Sequence, residues 1–178
     1  SGANGKVNLY GGIYTLPQAN ETAPAVGVAN NGGEINIYEG VTIEGTEGVT
    51  GTNLYVMMGV VNMHGGEIIG GVSGNNGGNI FSGYSNSDAK LYSDLHISGG
   101  YIADGRASTN GSNVLFNSAN GSITGGTIKG NVYINTAVIL SGSPVIDNFG
   151  YEGLYATASK KLVIKDLNAD ARIILRGN

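Results

Sequence analysis

The 178-residue chain has no cysteine and no tryptophan, and it has few prolines and few charged residues. The lack of cysteine rules out disulfides and cysteine-based metal sites. Three prolines, without glycine at every third position, rule out collagen. Charged residues make up 12% of the chain and hydrophobic residues 40%, a balance that disfavours a disordered chain. No apolar stretch reaches the ~18 residues of a membrane-spanning helix.

The small excess of negative charge also limits the partners. Nine Lys and Arg against 13 Asp and Glu give a net charge of −4 at pH 7, which disfavours a nucleic-acid binder. The abundant residues are glycine, with 32 copies, and asparagine, with 21. Both tolerate the left-handed backbone conformation of tight turns. A helical bundle would need Ala, Leu, Glu and Lys in their place.

One short pattern recurs along the chain: two apolar residues two apart, a polar residue, a glycine pair, then further apolar residues and a second turn. The copies are VNLYGGIYT (7–15), INIYEGVTIEG (35–45), VNMHGGEIIGG (61–71), LHISGGYIADG (95–105), SITGGTIKGN (122–131), VILSGSPVIDN (138–148) and a looser LVIKDLNADARIIL (162–175). Aligned on the second glycine or its equivalent, the first six fall at positions 12, 40, 66, 100, 126 and 143. Spacings of this order are typical of solenoids.

Apolar and polar residues alternate within each copy, which predicts short strands. The predicted inward pairs are Val7/Leu9, Ile35/Ile37, Val61/Met63, Leu95/Ile97 and Val138/Leu140. A second set of short strands is predicted between the copies, at 25–29, 54–58, 79–82, 113–117 and 131–135. No segment shows a helical period.

Such short strands bury their apolar faces only when successive repeats stack in parallel, about 4.8 Å apart. The sequence therefore predicts an all-β fold, a single-stranded parallel β-helix of about seven coils, right-handed because parallel crossovers favour that hand. We expect one domain over 1–178, with regular coils at 7–148, a long coil or insert at 72–94 and a capping coil at 149–178. An antiparallel β-sandwich with glycine-rich turns is the alternative.

Motifs such as SGGYIADG, ITGGTIKGN and LSGSPVIDN resemble the repeats of large, adhesin-like bacterial surface proteins. The resemblance covers most of residues 7–148. It implies a right-handed β-helix that is exported to the cell surface or secreted and flanked by other modules. The variable coil length departs from the most regular examples.

Two columns of polar and aromatic residues are predicted on one outer face. The first column is Asn8, Asn36, Asn62, His96, Ser122, Ile139 and Val163, and the second is Tyr10, Tyr38, His64, Ser98, Thr124, Ser141 and Lys165. Aromatic rings flanked by amides suit sugars, since a ring covers the C–H face of a pyranose and amides bond its hydroxyls. We predict a glycan site at Tyr10, Tyr38, His64, Asn8, Asn36 and Asn62. Ladders of Asn and aromatic residues also stabilise stacked strands without any ligand, and this interpretation remains open.

A second candidate site surrounds the predicted insert, where Tyr84, Tyr92 and Tyr101 accompany Asp88, Lys90, Asp94 and His96. The alternative is a loop with solvated charges. A glycosidase would need two carboxylates across a cleft, for which Asp94 and Asp104 are candidates, with Arg106 as an electrophile. The outer columns hold no stacked acids, so catalysis is the weaker reading.

No metal or cofactor site is predicted. Two histidines, His64 and His96, lie in adjacent columns and do not make a zinc site. The basic residues of the last segment are interpreted as protection of a strand edge, with contact to acidic glycans as the alternative. The sequence thus favours a monomeric, non-catalytic, extracellular binding module for glycan or a host surface. A structural stalk and a polysaccharide-active lyase or hydrolase fragment are the alternatives.

Overall fold

The computed structural model of the protein describes residues 5–15, 28–48, 53–83, 93–117, 120–147, 154–156 and 162–176. These residues form short β-strands joined by turns, and none of them lies in a helix. All pairings between the described strands are parallel. The protein is therefore all-β, with its parallel strands in a nearly closed, solenoid-like arrangement, as the repeat predicts. The sandwich alternative is wrong.

The strands form three sheets. Sheet I has 12 strands: β1 (Lys6–Leu9), β3 (Val28–Ile37), β6 (Leu54–Met63), β9 (Ile80–Ser82), β10 (Ser93–Ile97), β13 (Val114–Phe116), β14 (Asn120–Ile123), β16 (Val132–Ile134), β17 (Val138–Gly142), β19 (Leu154–Ala156), β20 (Leu162–Leu167) and β22 (Leu175–Arg176). Sheet II has seven strands: β2 (Gly12–Tyr14), β4 (Val41–Glu44), β7 (Glu67–Ile69), β11 (Tyr101–Ala103), β15 (Thr127–Lys129), β18 (Val145–Asp147) and β21 (Arg172–Ile173). Sheet III has three strands: β5 (Glu47–Gly48), β8 (Val72–Ser73) and β12 (Arg106–Ala107).

Two ten-residue strands of sheet I each pass through two positions of the repeat. The start of β6 pairs with β9, and its end pairs with β10. Within β6, Gly59 has a positive φ of 84° and lies against the backbone of Gly33 in β3. A side chain at Gly59 would collide with that backbone. The glycines therefore let two adjacent strands bend together without losing their pairing.

The core is a stack of branched apolar side chains inside the sheets. In sheet II one isoleucine from each of five successive strands lies buried in register, at positions 43, 68, 102, 128 and 146. Burying such a side chain stabilises the fold by about 1.5–3 kcal/mol. Because each strand supplies one member, the core is continuous along the solenoid.

The predicted inward pairs of sheet I are buried in four of the five strands that carry them: Ile35/Ile37, Val61/Met63, Leu95/Ile97 and Val138/Leu140. The exception is the first pair, in which Val7 is 39% exposed and Leu9 is partly buried. Both residues lie on β1, which pairs only with β3 among the described strands. An edge strand has a neighbour on one side alone, which explains the incomplete burial.

The inward position of β14 carries a glycine. Gly121 is in register with Leu95 on one side and Val138 on the other. A side chain at Gly121 would collide with the ring of Phe116, which is fully buried. The large ring thus fills the volume that the glycine leaves, so the packing remains close without a branched residue at this position.

A ladder of three buried asparagines, Asn53, Asn79 and Asn113, runs inside the solenoid. Each amide nitrogen donates to the next amide oxygen, at 2.9 Å from Asn53 to Asn79 and 2.8 Å from Asn79 to Asn113. The oxygen of Asn79 also accepts from the N–H of Gly71 at 2.8 Å, and its nitrogen donates to the carbonyl of Ala103 at 2.7 Å. These side chains satisfy the buried backbone groups of the corner between sheets II and III.

Part of the stretch predicted as a long coil or insert belongs to the regular solenoid. Strand β8 pairs with β5 and β12, and β9 pairs with β6 and β13. Residues 84–92 lie outside the described residues. The described members of the second predicted strand set are β9, β13, β16 and the starts of β3 and β6.

Candidate functional site

The outer face of sheet I has the two predicted columns in the predicted register. Asn8, Asn36, Asn62 and His96 pair in succession along the face, followed by Ser122, Ile139 and Val163. In the second column, the N–H of Tyr38, His64 and Ser98 each continues the pairing with the preceding strand. The sequence alignment therefore places these side chains correctly.

The aromatic residues of the second column stack on one another. The ring centroids of Tyr10 and Tyr38 are 4.7 Å apart at an interplanar angle of 13°, and those of Tyr38 and His64 are 5.1 Å apart at 24°. His64 Nδ1 lies 3.2 Å from Ser98 Oγ. That hydroxyl donates to the carbonyl of Met63 at 3.2 Å, so the imidazole nitrogen is the donor to it. Both faces of Tyr38 are covered by its neighbours.

The asparagine column is a second ladder, on the outside. Asn62 donates to Asn36 Oδ1 at 2.9 Å, and Asn36 donates to Asn8 Oδ1 at 2.9 Å. Asn36 also donates to Glu34 Oε1 at 2.9 Å, and Lys6 Nζ lies 3.0 Å from the same oxygen. The hydrogen bond from Asn36, followed by that from Lys6, lowers the pKa of Glu34, and the hydrogen bond with Glu34 raises the pKa of Lys6.

The ring faces and amide groups that would recognise a sugar are thus engaged within the protein. A pyranose could stack on Tyr38 only after the ring stack opened. Tyr10, with 68% of its surface exposed, ends the stack among the described residues. This geometry favours the ladder interpretation of the face formed by Tyr10, Tyr38, His64, Asn8, Asn36 and Asn62.

The second candidate site is described only in part. Tyr84 and Tyr92 lie outside the described residues, together with Asp88 and Lys90. His96 lies on sheet I, with Nδ1 2.9 Å from Ser122 Oγ, whereas Tyr101 lies on sheet II. Asp94 is also on sheet I, and its Oδ1 atom is buried without a hydrogen-bond partner.

Tyr101 lines a groove of about 540 Å³ on the surface of the solenoid. The other lining residues are Asp104, Gly105, Arg106, Asn113, Lys129 and Gly130. Asp94 is not among them, so the two carboxylates considered for hydrolysis do not share this groove. One aromatic ring, one carboxylate and two cations therefore converge in one concavity, the arrangement typical of a ligand site.

The groove follows the turn after sheet II. Strand ends at Glu44, Ile69, Ala103 and Lys129 are in register, so the residues that follow form one line, here called the turn lane: Gly45, Gly70, Asp104 and Gly130. Gly45 and Gly70 have φ values of +64° and +67°, a conformation that favours glycine. The lane is therefore poor in side chains, which leaves a trough along the solenoid.

Asp104 is the exception in the turn lane. It keeps a left-handed backbone, with φ of +57°, and its side chain is exposed. Asp104 also borders a second depression of about 240 Å³, which Thr15, Glu44, Gly45, Ile69 and Gly70 line. The two concavities are consequently parts of one trough that meet at this carboxylate.

The charges of the trough are unevenly distributed. Lys129 Nζ lies 5.7 Å from the centroid of the Tyr101 ring, within the range of a cation–π interaction. The exposed Arg106 makes no salt bridge within 4.0 Å in the part of the chain that the structure describes. Glu44 and Asp104 line the other depression. One half of the trough is therefore basic and the other acidic.

The inner asparagine ladder and the turn lane are features that our sequence analysis missed. Asn53, Asn79 and Asn113 are 26 and 34 residues apart, the same steps as the second, third and fourth repeats. This periodicity was a usable signal, but asparagine is also a common turn residue, and we interpreted Asn79 and Asn113 as strand boundaries. The turn lane follows from φ values that the letters alone do not give.

Three further findings complete the description. Among the described residues, no group of three or more His, Cys, Asp or Glu side chains is placed to hold a metal ion. A membrane-spanning helix is not found in that part of the chain either. No protein-family model, no curated protein and no solved structure matches this chain.

Proposed function

We propose that this chain is a non-catalytic, glycan-binding module of an extracellular bacterial surface protein, and that the trough beside Tyr101 binds the glycan. The observation that carries the proposal is the convergence of Tyr101, Asp104, Arg106 and Lys129 in one open groove. Sugar hydroxyls both donate and accept hydrogen bonds, so a carboxylate and cations in one concavity suit them. The resemblance of the repeats to adhesin-like proteins supports the extracellular location and flanking modules.

We further propose that the solenoid is a right-handed β-helix of about seven coils. The seven strands of sheet II support the number of coils. The strong preference of parallel crossover connections for the right hand supports the handedness. A rod of this kind presents the trough parallel to its axis, with one strand spacing of about 4.8 Å between successive lane residues.

A glycan microarray probed with the purified chain tests the binding proposal. We expect binding that falls at least about tenfold in Tyr101→Ala, a loss of about 1.4 kcal/mol, and that survives in Tyr101→Phe. The matched control is Tyr10→Ala/Tyr38→Ala, which removes two exposed-face tyrosines but leaves the trough intact. Binding lost in the control and kept in Tyr101→Ala would move the site to the outer face of sheet I.

The second candidate function is a structural stalk that projects other modules. The observation in its favour is the saturation of the outer face, where Asn36 and Asn62 donate within the ladder and Tyr38 is stacked on both sides. A stalk predicts no binding on the array by the wild-type chain, with a melting temperature unaffected by any glycan.

A further inference from the structure

We propose that the ligand of the trough is an extended glycan with a carboxylate-bearing sugar, whose carboxylate lies between Arg106 and Lys129. This inference rests on the proposed function and adds the chemical class of the sugar and its orientation. The groove places these two cations, from strands β12 and β15, around one concavity. No single coil supplies both charges, so the pair depends on the stacking of coils.

The side chain of Arg106 is suited to a carboxylate. A guanidinium is planar and presents its N–H donors in a fork that matches the two oxygens of a carboxylate. Arg106 is exposed and has no carboxylate within 4.0 Å among the described residues. Its own neighbour in the groove, Asp104, is therefore not bound to it as an ion pair.

Lys129 has a defined position beside the same space. Its ammonium lies over the ring of Tyr101, 5.7 Å from the centroid. A lysine side chain held by a ring loses less conformational freedom when it binds an anion than a freely rotating one does. Tyr101 thus acts as a positioning residue for Lys129 and as an apolar wall of the groove.

The acidic half of the trough fixes the direction of the chain. Glu44 and Asp104 border the second depression, where they can accept hydrogen bonds from sugar hydroxyls but repel a carboxylate. A sugar carboxylate is accordingly favoured at the basic half, with neutral sugars over Gly45 and Gly70. The lane from Gly45 to Gly130 crosses three strand spacings, about 14 Å, which is room for a short oligosaccharide.

Isothermal titration calorimetry with a β-1,4-linked tetramannuronate and its carboxyl-reduced counterpart, mannotetraose, tests the inference. We expect tighter binding of the acidic probe by tenfold or more, and weaker binding as salt increases. Arg106→Ala should remove this preference while the affinity for mannotetraose stays unchanged. Arg106→Lys, which keeps the charge but loses the fork, should restore only part of it.

Asp104→Asn is the second variant, and it guards against a purely structural effect of the arginine substitutions. It removes a negative charge from the junction of the two depressions and keeps a residue that tolerates the left-handed backbone. We expect it to bind tetramannuronate several-fold more tightly, a gain that damage to the fold would not produce. Unchanged or weaker binding would contradict the proposed position of the carboxylate.

The outcomes separate the inference from the proposed function. Equal affinity for the two tetrasaccharides would overturn the inference and leave glycan binding intact. Tighter binding of sulfated mannotetraose than of tetramannuronate would overturn the carboxylate in favour of a sulfate ester. Binding of no probe here and of no glycan on the array would overturn both.

Discussion

Asn79 donates its amide N–H to Asn113 Oδ1 at 2.8 Å, between two buried side chains that are 34 residues apart in the sequence. The contact joins successive turns of the chain from the inside. It also lies directly beneath the trough, because Asn113 lines the groove and its nitrogen donates to the carbonyl of Lys129 at 2.7 Å. The interior ladder and the candidate site are therefore one structural unit.

Replacing Asn79 with Ala should destabilise the fold strongly. The change removes four hydrogen bonds and leaves the N–H of Gly71 and the carbonyl of Ala103 buried without these partners. At about 1–3 kcal/mol for each unsatisfied buried group, we expect a loss of about 3 kcal/mol or more in urea denaturation. Asn8→Ala, at the exposed end of the outer ladder, is the control and should cost about 1 kcal/mol or less. Equal losses in both variants would contradict a special role for the inner ladder.

Tyr38→Ala should lower stability without affecting glycan binding. It removes both ring contacts of the stack, each worth about 0.5–1.5 kcal/mol. Tyr38→Phe retains the ring and should stay within about 0.5 kcal/mol of the wild type. Thermal and urea denaturation measure the first effect, and the glycan array measures the second. A variant of normal stability that no longer binds would show that the outer face is a ligand site after all.

Stability should fall at acidic pH partly through Glu34. Its pKa is lowered in the folded protein by Asn36 and Lys6, so its contribution is fully present above the pKa of the unfolded chain, about 4.3. The contribution is lost as the pH falls through the lower, folded value. Glu34→Gln should therefore flatten the decline in unfolding free energy below about pH 5, whereas Glu67→Gln, an exposed control, should follow the wild type. Parallel curves for wild type and Glu34→Gln would disprove the coupling.

Substitutions in the turn lane should depend on backbone conformation more than on size. Gly70 and Asp104 both have positive φ, so Gly70→Ala and Asp104→Ala should each cost about 1–2 kcal/mol. Gly70→Asn and Asp104→Gly should cost clearly less, because both residues tolerate this conformation. Unfolding free energies of the four variants test the ordering. An alanine variant as stable as its asparagine or glycine partner would mean that the lane is not constrained in this way.

The alternation of apolar and polar residues was sufficient to predict sheet I, since Asn8, Asn36 and Asn62 pair as their spacing indicates. The same alignment does not hold in sheet II. There Gly12 pairs with Val41, not with Gly40, because the turn between the two sheets absorbs one residue. Repeat arithmetic fixes equivalent strands but not the residue count of each turn.

The candidate site was less predictable than the fold. The sequence identified Tyr10 and Tyr38 as neighbours, but their stacking angle, which decides whether a ring face is available, depends on side-chain packing. The trough needs Arg106 and Lys129, from different coils, on either side of a turn whose glycines leave space. Tyr101 was predicted as a site residue, but with partners from the insert and not with Lys129.

The most direct test of the account is an amide chemical-shift titration of the isotope-labelled chain with tetramannuronate. The glycines of the trough, Gly45, Gly70, Gly105 and Gly130, report on one surface, and Tyr10, Tyr38 and His64 report on the other. We predict saturable shifts at the trough glycines, strongest at Gly105 and Gly130 beside the two cations, with little change at the aromatic stack. Shifts centred on Tyr10 and Tyr38 with the trough unaffected would contradict the account.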